Sequence, residues 1–99
     1  EEPIKEKDIE IAFVDCLTDT QSIEFGWADK GSYNNIGQSL YYSSKTGKTP
    51  AIVLLVHMDM DKEKIRKNIE IIKVVNKDFD LKIEIILLKI PEGEIIKYE

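Results

Sequence analysis

Hydrophobic and polar positions begin to alternate at Ile9. Ile9, Ile11 and Phe13 are interleaved with Glu10, Ala12 and Val14, a period of two that predicts a strand. Thr18-Asp19-Thr20-Gln21-Ser22 has turn composition. Alternation resumes over residues 22–28, with Ile23, Phe25 and Trp27 on one side and Glu24 and Gly26 on the other. Two strands joined by a short polar loop predict an antiparallel hairpin. The period then lengthens. Ser32 is placed to cap a helix, and Tyr33, Ile36, Leu40, Tyr41 and Tyr42 fit helical spacing through about Ser44. Thr46-Gly47-Lys48-Thr49-Pro50 ends that helix, because Gly accepts the left-handed cap and Pro forbids continuation.

Residues 51–56 are apolar on both faces, the mark of a central strand covered on two sides. Asp59 or Asp61 caps the next helix. Its buried stripe is Ile65, Ile69, Ile72 and Val75, widened by Ile71 and Val74, and Asn76-Lys77-Asp78 closes it. Residues 81–88 read as a strand. Glu94–Tyr98 adds an optional edge strand after Pro91 and Gly93. The predicted order is β-β-α-β-α-β, an α/β sandwich whose mixed sheet is flanked by helices and has an antiparallel first strand. Residues 1–8 are charged and aperiodic and read as a mobile lead-in to a single domain over residues 9–99.

Composition supports one globular domain. Hydrophobic residues make up 42% of 99, with only five Gly and three Pro, unlike a disordered chain. The longest apolar run, 51–56, is far shorter than the ~20 residues of a membrane helix, so no membrane role is expected. The single cysteine, Cys16, excludes an internal disulfide and a zinc site built on several thiolates. One free cysteine suits the cytoplasm. A first residue other than Met also suits a processed, exported or truncated product. The net charge of −5 argues against broad nonspecific nucleic-acid binding. The charge is uneven, however: residues 28–50 hold Lys30, Lys45 and Lys48 against Asp29 alone. A local basic patch of this kind can meet one phosphate backbone, although lysines placed for solubility have the same look.

Candidate chemistry arises in the hairpin. If Val14 faces Phe25, then Asp15 faces Glu24, and Ala12, Val14, Ile23, Phe25 and Trp27 share the apolar face. Two carboxylates side by side repel each other unless a cation lies between them. Mg²⁺ prefers such oxygen ligands, completed by waters and substrate phosphate. The plainer alternative is that Asp15 starts the turn and Glu24 is solvated. Gln38 and Tyr42, four residues apart, lie on one helix face, and their amide and hydroxyl suit phosphate, water or base edges.

The run VDCLTDTQSIEFGWADKGSYNNIGQSLYY, residues 14–42, resembles the PD-(D/E)XK nuclease superfamily, in particular a branch of small bacterial domains. Asp15 and Glu24 match its two acidic positions. Gln38 and Tyr42 match the Q-x-x-x-Y of RecB-like members. The resemblance implies a restriction-endonuclease-like core and metal-dependent phosphodiester hydrolysis on DNA, branched or single-stranded forms included. It implies Mg²⁺ or Mn²⁺ held by Asp15, Glu24 and the Phe25 carbonyl, with Gln38, Tyr42, Lys45 and Lys48 meeting the strand. Two departures stand out. Gly26 occupies the position of the family lysine, which makes Lys30 the displaced substitute. The chain also begins too near its first strand to hold the opening helix of the family. Both favour an alternative: a catalytically silent module of the same fold that binds a protein partner or a second copy of itself.

Other motifs fail. Thr46-Gly47-Lys48-Thr49 lacks the earlier glycine of a phosphate loop, since position 42 is Tyr. Asp59, Asp61, Glu63 and Glu70 have calcium-loop spacing, but Lys64 stands where the turn needs Gly. His57, the lone histidine, has no second His or Cys at ligand spacing and reads as a strand-end residue. Cys16 reads as a small core residue, and Trp27 as core rather than a base-stacking group.

Overall fold

The computed structural model describes residues 20–31 and 33–98. Its elements are β1 (Gln21–Trp27), α1 (Tyr33–Thr46), β2 (Thr49–Val56), α2 (Lys62–Asp78), β3 (Glu84–Lys89) and β4 (Glu94–Tyr98). They form a four-stranded mixed sheet in the order β1-β2-β3-β4. β1, β2 and β3 are mutually parallel, and β4 is antiparallel to β3. The α/β class and the mixed sheet agree with the sequence pattern. The described order, β-α-β-α-β-β, differs from the predicted β-β-α-β-α-β. The predicted first strand, the Asp15 turn, the lead-in and the Ser32 cap lie outside the described residues. Glu94–Tyr98 is a full strand, turned by Gly93 at φ 78° with its N–H on the Lys89 carbonyl at 2.7 Å.

β2 is central because it is apolar on both faces. Ala51, Ile52, Val53, Leu54 and Leu55 have no solvent exposure. At ~1.5–3 kcal/mol per large side chain, burial of this strand outweighs any local helix preference. Ile52 and Leu54 join a core with Ile36 of α1, Ile69 and Ile72 of α2, and Ile85 and Leu87 of β3. Both helices therefore lie on one sheet face, as two right-handed crossovers in the same direction require. The opposite face carries a second buried cluster: Phe25, Val53, Leu55, Ile86 and Leu88.

α1 is a poor helix by local preference, with Asn34, Asn35, Gly37 and several serines. Tertiary contact holds it. Ser39 is fully buried and donates its hydroxyl to the Ile36 carbonyl at 2.9 Å, so a small residue sits against the sheet. Gly47 takes the left-handed conformation at φ 72° and donates to the Ser43 carbonyl at 2.8 Å, ending the helix as predicted. Pro50 then sits opposite Ser22, just before the β2–β3 pairing begins at Ala51 and Glu84. A residue without an N–H is tolerated there.

In α2 the cap is Asp61 rather than Asp59; its carboxylate accepts from the Glu63 N–H at 2.8 Å. Val74 does not widen the apolar stripe: it is 45% exposed, about 200° around the helix from Ile72. Residues 81–83 are not strand, which corrects the predicted start of the third parallel strand. Asn76 donates to the Ile83 carbonyl at 2.9 Å and accepts its N–H at 3.0 Å. That side chain takes both backbone groups a ladder would use, and regular pairing starts at Glu84. Among the described residues, no helix is long and apolar enough to cross a membrane.

Candidate functional site

Glu24 is the fourth residue of β1 and pairs with Ile52. Paired residues of a parallel ladder share a face, so the Glu24 side chain lies on the helix-bearing side, half-buried. Ile23, Phe25 and Trp27 pack into the opposite cluster, as the alternation predicts. The Phe25 side chain therefore points away from Glu24, and only its backbone carbonyl is a candidate ligand. Asp15, the other candidate carboxylate, lies outside the described residues, and with it the predicted Asp15–Glu24 pair. Among the described residues, no group of three or more His, Cys, Asp or Glu side chains gathers in metal-binding array.

α1 crosses over the same face. Asn35 is pressed onto Gly26: a Cβ built at Gly26 would lie 2.0 Å from Asn35 Nδ2 and 3.1 Å from its Cγ. Asn35, Gln38 and Tyr42 fall at i, i+3 and i+7, one line along the helix. The helix runs back along β1. Gln38 is ~4.5 Å along the helix from Asn35, and Glu24 is ~6.6 Å along the strand from Gly26, in the same direction. α1 thus packs over β1 through Asn35, while Gln38 and Tyr42 stand on its exposed side, away from the buried Ile36 and Ser39. Gln38 is exposed and Tyr42 is 47% exposed.

Lys30 is exposed in the turn after β1, at the carboxyl end of the parallel strands. Its backbone is held firmly. Lys30 N–H donates to the Trp27 carbonyl at 3.1 Å, and Ala28 N–H donates to Leu55 at 2.9 Å. The Asn68 side chain of α2, buried to 6% exposure, donates to the Ala28 carbonyl at 2.5 Å and to the Lys30 carbonyl. Lys45 and Lys48 sit at the other end of α1, ~20 Å along its axis from Lys30. Glu24 therefore faces the layer occupied by α1, whereas Gln38, Tyr42 and Lys45 share the exposed side of that helix. Lys30 stands apart at one end and Lys48 beyond the other.

Sequence reasoning missed Asn35 and Asn68. Asn35 shares the Gln38–Tyr42 line, but its packing on Gly26 depends on how α1 docks. Asn68 carries a clearer signal: it stands within the apolar stripe, three residues after Ile65 and four before Ile72, and a polar group there must find partners. His57 behaves as a strand-end residue. Its carbonyl accepts from Met60 N–H at 3.1 Å, and its ring meets Trp27 edge-on at 5.9 Å. It borders a cavity of about 390 Å³ with Met58, Met60, Lys62 and Lys89, at the carboxyl ends of β2 and β3. Elsewhere on the surface, the Arg66 hydrogen bond, and then its charge, hold the Glu63 carboxyl below the ordinary range. No family model, curated protein or solved structure matches this chain.

Proposed function

We propose that this chain is a nuclease-fold domain with a restriction-endonuclease-like core that hydrolyses DNA phosphodiesters with the help of Mg²⁺ or Mn²⁺. The observation that carries the reading is that α1, the helix bearing Gln38 and Tyr42, packs over β1 on the sheet face to which Glu24 belongs. Glu24, the Phe25 carbonyl and Asp15 are all oxygen donors, the set a hard divalent ion prefers, and they would hold it. When bound, such an ion polarises a phosphodiester and lowers the pKa of a water. Lys30, on a turn braced by Asn68, would steady negative charge arriving at the carboxyl end of β1. Gln38 and Tyr42 would orient the strand through amide and hydroxyl hydrogen bonds, and Lys45 and Lys48 would meet more distant phosphates.

Backbone amides of Asp15, Glu24, Phe25 and Lys30 test this by NMR. Saturable shifts with Mg²⁺ and paramagnetic broadening with Mn²⁺, confined to these residues, are expected. Silence at millimolar ion would remove the metal assignment.

A second reading, a catalytically silent module that binds a protein partner, has its own observation. The space over Gly26, where the resemblance calls for lysine, is filled by Asn35. Gly26→Lys alone is expected to destabilise the fold by ~1–3 kcal/mol through overpacking. Gly26→Lys with Asn35→Ala should recover most of that, measured by urea unfolding. Equal stability of the single and double variants would show that Asn35 does not close the space.

A further inference from the structure

α1 contains no acidic residue along its 14 positions, in a chain that carries 19 acidic groups. The longer α2 holds Glu63, Glu70 and Asp78. The outer face of α1 is built from Gln38, Tyr41, Tyr42 and Lys45, all exposed. Tyr41 is 56% and Tyr42 47% exposed, a large aromatic surface left in water. The two rings meet edge to face, with centroids 5.6 Å apart. Lys45 Nζ stands 5.4 Å from the centroid of the Tyr41 ring. Two half-exposed rings, a cation over one face of the Tyr41 ring and the absence of any carboxylate on the helix are the parts of a stacking platform with a phosphate contact.

The geometry points to this face of α1 as a binding surface for unpaired nucleic-acid strands, with Tyr41 as a base-stacking residue and Lys45 as its phosphate contact. The inference rests on the function proposed above in one respect, that the ligand is a nucleic acid. Duplex DNA hides its base faces within the helix, so it offers nothing for Tyr41 to stack on. Its phosphates can still meet Lys45. The platform therefore favours single strands over duplex, which narrows the substrate class.

The test is fluorescence anisotropy with a labelled oligothymidylate of roughly 20 nucleotides, and with the same strand in duplex, at low salt and with chelator present. The chelator separates binding from cleavage. Tighter binding of the single strand is expected. Tyr41→Ala should weaken single-strand binding about tenfold and leave duplex binding nearly unchanged, while Tyr41→Phe keeps the parent affinity. Lys45→Ala should weaken both ligands and lower the magnitude of the salt slope by about one. Duplex binding as tight as single-strand binding, no binding of either at low salt, or a Tyr41→Ala variant with parent affinity would each overturn the inference. A chain that binds single strands but never cleaves them would refute the nuclease reading alone. Cleavage by a Tyr41→Ala variant with unchanged affinity would refute the platform alone.

Discussion

Glu24→Gln is expected to abolish metal-dependent DNA cleavage while leaving the fold nearly as stable as the parent. Glu24 sits on the helix-bearing face of β1 and is half-buried. The amide keeps the shape of the carboxylate and removes its charge. If Glu24 holds the proposed ion, losing that charged ligand would forfeit several kcal/mol of transition-state stabilisation, about a 10³-fold loss of rate. The cost to folding should stay within ~1 kcal/mol, since the strand's burial comes from Phe25 and its partners on β2. Asp15→Asn should give the same loss of cleavage. Cleavage of a labelled DNA, measured beside urea unfolding of the same variants, separates the two effects. Parent-level cleavage by either variant would sink the metal assignment.

Asn68→Ala has the largest expected effect on stability. The amide of Asn68 donates to two backbone carbonyls, of Ala28 and Lys30, some forty residues earlier in the chain. Ala28 is fully buried, so water cannot readily replace the lost donor. Leaving such acceptors unsatisfied, together with the cavity, should cost ~2–4 kcal/mol. The loss should be concentrated locally. Amide exchange at residues 28–31 is expected to accelerate more than exchange in β2 or β3. A variant with the parent's urea midpoint and unchanged exchange in this turn would show that the clamp contributes little.

These two residues mark how far the sequence could be read. Strands and helices with a strong period were readable. β2 is apolar on both faces, α2 repeats Ile65, Ile69 and Ile72, and Gly47 before Pro50 stops α1. The alternation of Ile23, Phe25 and Trp27 correctly set Glu24 on the other face. The start of β3 was not readable, because residues 81–83 alternate like a strand while Asn76 holds the backbone of Ile83. Asn35 over Gly26 was not readable either, since that contact depends on the depth at which α1 docks. Asn68 was visible only as a polar break in an apolar stripe. Its partners lie across the fold, where no local pattern reaches. Of the site proposed from sequence, Glu24, Gln38 and Tyr42 come to lie along one strand and the helix above it. Lys30 and Lys48 fall toward opposite ends, and Asp15 lies outside the described residues.

Strand order follows chain order throughout the described sheet. Each strand pairs with the next one in the chain, across a single helix or a tight turn. Among the described residues, no strand must be threaded between two that have already met. The chain can close its contacts one neighbour at a time, and the entropy lost at each closure stays small. Such a topology favours assembly outward from β2 and β3. On that route the Glu24 strand can join once its β2 neighbour is in place, without waiting for β4.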